Sequence, residues 1–320
     1  MSASVGGDAT RYEPLFRDPV HDGAADPVVV WNPHERVWWM FFTARRTTAP
    51  RNGVGWVHGT GIGVASSSDH GATWTYRGEV DGLDTEWGVH TYWAPEVLEH
   101  DGTFHMYVSY IRGIPTAWAG HARTIRHYTS RDLHTWSFVS TLELSSDRVI
   151  DAAVRPVPGG GFRMWFKDEA DSNNIWAADS ADLFTWTVRG PAVVTDVAIE
   201  GPVVFDLGGT TWMLADAKCQ RLYRTDDLDA WEHVATFLTS ADRSDRIDDV
   251  GPGLHASVVV AADRAFVFYF THPERHDPNL AAADPRRSSV HAAELRPKGG
   301  TLVCVRGAEV VVNLSAAEPT

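Results

Sequence analysis

One pattern limits the fold more than any other. A short polar turn ending in tryptophan occurs four times, as SSDHGATW to Trp74, SRDLHTW to Trp136, SADLFTW to Trp186 and TDDLDAW to Trp231. Internal repetition on this scale marks solenoids, arrays and propellers. Each copy stands between two short alternating runs, such as TIRHYT before the second copy and SFVSTL after it, which predicts a hairpin joining two strands. Upstream of each hairpin lies another pair of β-branched and aromatic runs broken by Gly, Asp, Asn or Pro: DPVVVWNPHERVWWMFFTA, APEVLEHDGTFHMYVSY, DAAVRPVPGGGFRMWFKD and EGPVVFDLGGTTWMLAD. A fifth, HASVVVAADRAFVFYFTHP, is followed by SSVHAAEL and TLVCVR. Apart from Met1, all the methionines (Met40, Met106, Met164, Met213) fall at one repeat position, where the fifth copy has Phe268.

From Asp26, Ala94, Asp151, Glu200 and His255 to that position the steps are 14, 12, 13, 13 and 13 residues. Five units of four strands predict an all-β chain: a five-bladed β-propeller with four-stranded antiparallel blades. It is expected to be one domain over residues 1–320, with blades starting near 26, 94, 151, 200 and 255 and their first strands lining a central channel. The four turn tryptophans are expected to pack between strands. The segment 45–61 is too long for a hairpin loop and is expected to serve function or to move.

Composition excludes several function classes. With 43% hydrophobic residues and 14 Trp, the 320-residue chain can bury a large core, and no apolar run approaches the 18 or so residues of a membrane span. A net charge of −14 argues against nucleic acid and membrane surfaces as partners. Cys219 and Cys304, 85 positions apart, give neither a disulfide framework nor a zinc spacing. The N-terminal MSASVGGDATRYEP lacks a basic flank leading into an apolar stretch, so the expected location is cytoplasmic, with secretion by a trimmed signal left open.

If the blade starts converge on the axis, Asp26, Asp151, Glu200 and His255 meet at one mouth, with Ala94 in the fifth place. Each carboxylate alone is an ordinary turn or strand-entry residue. Three at equivalent positions of a repeat point to acid–base chemistry or metal binding, because gathering like charges costs stability.

The blade openings AADP, YWAPEV, VIDAAV and IEGPVVF, in that order over nearly the whole chain, resemble those of glycoside hydrolase family 43 and its propeller relatives. The resemblance implies that Asp26 is the general base, that Asp151 tunes the acid and orients substrate, and that Glu200 is the general acid. It implies further that His255, in GPGLHASVVV, supports a calcium ion in the channel through water, with no cofactor required for the reaction. Two motifs depart from the family: WAPEV stands where WAPD is commoner, and DAAV where DPSV is usual, leaving subfamily and substrate open. The stretch GVGWVHGTGIGVASSSDHGATW is also similar to family 117, propellers that act on anhydrogalactose-containing oligosaccharides.

The implied activity is hydrolysis of O-glycosidic bonds in plant or algal oligosaccharides. It would be exo-acting and inverting, of the α-L-arabinofuranosidase/β-xylosidase kind, with an anhydrogalactosidase or a non-catalytic carbohydrate-binding propeller as alternatives. Such chemistry needs one carboxylic acid to protonate the leaving oxygen and one carboxylate to activate water across the ring. For sugar contacts the loop ends offer His21, Trp56, His58, His90, Trp93 and Arg155. Asp22 is a rival base, and Glu96, two residues inside its strand, a rival acid.

Overall fold

The computed structural model describes residues 13–50, 52–242, 244–276, 285–307 and 309–319. Blade 1 holds β1 (Ala24–Asn32), β2 (Val37–Ala44), β3 (Ile62–Ser67) and β4 (Thr75–Glu79). Blade 2 holds β5 (Thr91–His100), β6 (Thr103–Ile111), β7 (Thr124–Ser130) and β8 (Ser137–Thr141). In blade 3 are β9 (Val149–Pro156), β10 (Phe162–Asp168), β11 (Asn174–Ser180) and β12 (Thr187–Val194). Blade 4 follows with β13 (Glu200–Leu207), β14 (Thr210–Asp216), β15 (Gln220–Thr225) and β16 (Glu232–Phe237). Blade 5 closes the set with β17 (Leu254–Ala261), β18 (Arg264–Thr271), β19 (Ser289–Lys298) and β20 (Thr301–Arg306).

Each blade is a separate antiparallel sheet with its strands in chain order. The first strands neighbour one another around a ring: β1 with β5, β5 with β9, β9 with β13, β13 with β17, and β17 with β1. This is the expected five-bladed propeller. The only helical turns among the described residues are Pro273–Arg275 and Ser315–Ala317, and no helix is long and apolar enough to cross a membrane.

The repeated turn has a physical explanation. In three copies a hydroxyl and an aspartate cap the bend together: Ser130, Ser180 and Thr225 accept the N–H of Leu133, Leu183 and Leu228 at 2.9 Å. Asp132, Asp182 and Asp227 accept two further N–H groups each at 2.8–2.9 Å, which holds their carboxyl pKa values down. The tryptophan that follows is a wedge between blades. Trp74, Trp136, Trp186 and Trp231 meet Phe268, Phe41, Tyr107 and Trp165 edge-on, at centroid distances of 6.2, 6.1, 5.6 and 6.0 Å. In each case the partner ring lies on the second strand of the preceding blade, the last blade preceding the first.

This geometry corrects one expected equivalence. Met40, Met106, Met164 and Met213 all face the preceding blade, and in blade 5 the residue that does so is Val267, packed with Trp212 and Leu214. Phe268 is one position further on and receives the Trp74 wedge, as Phe41, Tyr107 and Trp165 do for the other tryptophans.

Closure between the first and last blades uses no shared strand. Phe16 and Val290 exchange backbone hydrogen bonds at 3.2 and 2.9 Å, Ser288 N–H donates to Asp22 O at 3.1 Å, and Trp74 wedges on Phe268. Val310, Val312 and Leu314 then cover the same apolar cluster as Met40 and Phe42, and Trp38 Nε1 donates to Glu318 at 3.1 Å. Trp136 is the most buried wedge, at 2% exposure. Trp136→Ala is expected to lower stability by about 3–5 kcal/mol, the usual cost of an unfilled aromatic site, seen as a lower urea midpoint at unchanged slope.

Candidate active site

Every first strand carries a β-bulge at the same height. The ladder skips Asp26 and Pro27, Ala94 and Pro95, Asp151 and Ala152, Gly201 and Pro202, and His255 and Ala256. Asp26, Ala94, Asp151 and Gly201 take left-handed backbone with φ of 50, 44, 60 and 53°. A bulge turns its residue out of the ladder, and a proline at the next position loses no ladder bond. The ring at the channel mouth is therefore Asp26, Ala94, Asp151, Gly201 and His255. Glu200 stands one residue earlier, in an outer ring with Ala25, Trp93, Ile150 and Leu254. The two tiers differ in access: Asp26 and Asp151 are each 5% exposed, whereas the Glu200 side chain is 45% exposed.

At three of the bulges the second strand of the preceding blade supplies the acceptor for the bulged residue's N–H. Thr43 takes Ala94 N–H at 2.9 Å, Ser109 takes Asp151 N–H at 3.0 Å and Asp216 takes His255 N–H at 2.9 Å. In blade 3 the same place is held by Lys167, which cannot accept. Gly201 N–H turns to Asp151 Oδ2 at 3.2 Å instead, and the Lys167 ammonium meets Glu200 Oε2 at 2.7 Å and Glu169 at 3.4 Å. Gly201 suits its place for two reasons: its left-handed φ, and the His255 ring, which a Cβ there would meet at 2.8 Å.

The cluster is balanced in charge. Arg45, the first residue after β2, spans both Asp26 oxygens at 3.2 Å and lies 4.8 Å over the Phe270 ring, and His255 Nδ1 is 3.7 Å from Asp26. Burial pushes the Asp151 carboxyl up to about 6; Glu200 and Asp26 add to this, against the pull of His255 and Lys167. Burial, with Glu200, likewise raises Asp216 to about 7. On His255 burial works the other way, but Asp151, Asp26, Glu200 and Asp216 outweigh it and hold the imidazole above its ordinary value. The Lys167 ammonium is also held above its usual value, because Glu200, Asp151 and Glu169 outweigh its desolvation.

Asp26, Asp151, Lys167, Glu200 and His255 line a cavity of about 210 Å³ with Arg45, Val57, Trp93, Trp118, Arg123, Ile150 and Glu169. Of the residues expected to touch sugar, only Trp93 is on its wall. His58 is fully buried, donates through Nδ1–H to Val54 O at 3.0 Å, and has its imidazole pKa lowered to about 4 by desolvation; it packs under Trp93 at 4.9 Å. Trp56 is buried edge-on to His272, and His90 Nδ1 accepts Gly113 N–H at 3.0 Å. His21 bonds Thr48 at 3.0 Å outside the cavity. Arg155 lies four residues down β9 from Asp151, about 13 Å along the channel at the strand's rise per residue, and pairs with Asp206.

Neither rival carboxylate competes. Asp22 is tied to Arg17 at 2.9 Å, and Glu96 sits deeper, accepting Val154 N–H at 2.9 Å, with burial raising it to about 7. The resemblance implies a calcium reached from His255 through water. Among the described residues no group of three or more His, Cys, Asp or Glu is arranged to hold a metal ion, and the carboxylates around His255 already face Arg45, Lys167 and His255 itself.

Sequence inspection missed Arg45, Lys167, Asp216, Arg123 and Trp118. Trp118 stands on the rim at 57% exposure, and its carbonyl accepts from Arg123, whose guanidinium lies 5.7 Å from the Trp93 ring. The Gly- and Pro-rich run RGIPTAWAGHAR between β6 and β7 was the available sign of a rim loop.

No protein-family model matches the chain, and neither does any curated protein sequence. Solved structures do. A thermostable family-43 glycoside hydrolase aligns with TM-score 0.65 at 19% identity, over 95% of this chain and 99% of that one. A GH43 β-xylosidase/α-arabinofuranosidase from a compost microbial metagenome, in complex with xylotriose and in calcium-free form, aligns with TM-score 0.68 at 15% identity, over 94% and 98%. A GH43 β-1,3-galactosidase with galactodeoxynojirimycin gives 0.67 at 14%, over 92% and 97%. At these identities the likeness is one of fold: the chain has the five-bladed propeller of the family-43 glycoside hydrolases.

The raised carboxyls carry a stability consequence. Asp151, Asp216 and Glu96 stay protonated in the fold above the pH, near 4, at which they ionise in the unfolded chain. Their contribution is therefore complete below about pH 4 and is lost as pH rises through about 6 to 7. Asp216→Asn gives up one accepted N–H bond but cannot ionise. Its melting temperature relative to wild type is expected to rise between pH 5 and pH 8, and a constant offset would contradict the assignment.

Proposed function

We propose that this protein is an exo-acting glycoside hydrolase that removes one sugar at a time from an oligosaccharide, with inversion. The observation that carries the proposal is the two-tier arrangement: two carboxylates deep in the bulge ring and an accessible one above them, around one small cavity. At about 210 Å³ the cavity is smaller than the roughly 300–1,000 Å³ of sites for drug-sized ligands, room for a single sugar ring against Trp93. The fold likeness to family-43 enzymes, one of them complexed with xylotriose, supports a β-xyloside or α-L-arabinofuranoside substrate.

In this mechanism Asp26, held by Arg45, accepts the proton of a water that attacks the anomeric carbon. Glu200 gives its proton to the departing glycosidic oxygen. Asp151 is buried beside Glu200, and its link to Gly201 N–H fixes the strand that presents Glu200. Lys167 holds the Glu200 carboxyl in place through its ammonium at 2.7 Å. No cofactor enters either step.

Screening aryl furanosides and pyranosides, then anhydrogalactose oligosaccharides, identifies the sugar, and NMR of the first product anomer tests the stereochemistry. Inversion is expected; a retained anomer would make Asp26 a nucleophile and end the assignment. Asp26→Asn is expected to lower turnover by roughly 10²–10⁴-fold with little change in affinity. Glu200→Gln should abolish cleavage of substrates with poor leaving groups while sparing activated aryl glycosides, and equal losses on both would refute its role as acid.

A further inference from the structure

Glu200 and Lys167 face two cavities. One is the channel mouth. The other, about 280 Å³, lies between blades 3 and 4 and is lined by Lys167, Asn173, Ala198, Ile199, Glu200, Asp216, Ala217 and Lys218. We infer that this second cavity is the leaving-group subsite, holding the sugar on the far side of the scissile bond, and that Lys218 and Asn173 are its polar contacts. The inference rests on the glycosidase assignment above and adds to it the path of the remaining oligosaccharide.

Three observations converge. First, a general acid must touch the oxygen that joins the two sugars, so the sugar that leaves has to stand beside the acid, outside the cavity that holds the cleaved ring. Glu200, 45% exposed and shared by both cavities, meets that condition, whereas Asp26 and Asp151 at 5% are open to neither direction of departure. Second, the rim is uneven. The links between second and third strands are long in blades 1 and 2, residues 45–61 and 112–123, and they bring Arg45, Val57, Trp118 and Arg123 to the cavity wall. In blades 3 and 4 the same links are residues 169–173 and 217–219 only, so the wall is low on that side, and there the second cavity lies. Third, the lining suits a sugar. Ala198 and Ala217 give apolar surface for a ring face, and the exposed Lys218 ammonium and the Asn173 amide offer donors to hydroxyls. Both polar residues are held in left-handed backbone, φ 61° at Asn173 and 63° at Lys218, in turns that ordered neighbours fix: Asn173 O accepts Ile199 N–H at 3.0 Å and Asp216 accepts Lys218 N–H at 2.6 Å.

The test compares a substrate that fills the second cavity with a sugar against one that does not. Xylotriose is paired with 4-nitrophenyl β-D-xylopyranoside, and arabinotriose with 4-nitrophenyl α-L-arabinofuranoside, in wild type and two variants. Ala198→Trp fills the cavity from an exposed position, and Lys218→Gly removes a contact at a left-handed φ that glycine adopts without strain. For the sugar that wild type accepts, the ratio of kcat/KM on the trisaccharide to kcat/KM on the aryl glycoside is expected to fall at least tenfold in both variants, mainly through KM. An unchanged ratio in an active enzyme would overturn the subsite alone. A wild type inactive on every aryl glycoside screened would instead overturn the hydrolase assignment on which the subsite rests.

Discussion

At four of the five bulges the bulged residue's amide hydrogen ties one blade to the next. A bulge takes its residue out of the ladder, and a buried N–H left without an acceptor costs about as much as a lost hydrogen bond. Thr43, Ser109 and Asp216 answer that need across three of the blade interfaces, so the same bonds that turn Asp151 and His255 toward the axis also hold neighbouring blades in register. Site and scaffold are thus the same set of contacts. The burial of Asp216, puzzling for a carboxylate, follows from this duty, and its carboxyl is raised first by that burial and then by the charge of Glu200, its partner across the ladder.

Blade 3 breaks the pattern, and the break shapes the chemistry. Lysine has donors only, so placing Lys167 where its neighbours have acceptors frees a cation to face Glu200 and passes the Gly201 amide to Asp151. Asp151 is thereby committed to a structural bond as well as to its electrostatic coupling with Glu200. Arg45 and His255 flank Asp26 in the same way. Carboxylates that would repel one another are each provided with a cation or an N–H donor, without any cage of metal ligands among the described residues.

The blade count, strand order and wedge tryptophans were readable from the sequence because they arise from local rules: alternation, turn chemistry and a repeated aromatic. Asp26 and Asp151 were readable for the same reason. Registers were harder. Glu200 had been aligned with Asp26, yet the prolines after the bulges, Pro27, Pro95 and Pro202, align Asp26 with Gly201 and leave Glu200 one residue outward, a shift of one that changes a buried group into an accessible one. Phe268 was misplaced by a similar single step. His58, Trp56 and His90 were chosen for residue type in loops, but packing beside Trp93 turns His58 and Trp56 inward, and His90 turns to Tyr110 and the Gly113 amide. Arg45 and Lys167 gave no sign at all, because a cation at a strand end acquires meaning only from the carboxylate a neighbouring blade brings to it.

The seam between the first and last blades differs in kind from the other four junctions. There the chain's own continuity keeps neighbours together, whereas here two ends of the molecule are clasped by the Phe16 and Val290 pairing, the Trp74 wedge and the cover of Val310, Val312 and Leu314. Closing so large a ring costs little more entropy than closing one a quarter its size, so the clasp competes mainly with its own loss of contacts. Once undone, it would leave a linear stack of blades whose nearest-neighbour contacts remain, as in an open repeat array. Asp26 belongs to the first blade and His255 to the last, so such an opening would part Asp26 from its imidazole neighbour while Asp151, Glu200 and Lys167 stayed together. The clasp of the ring and one edge of the channel-mouth cluster therefore coincide.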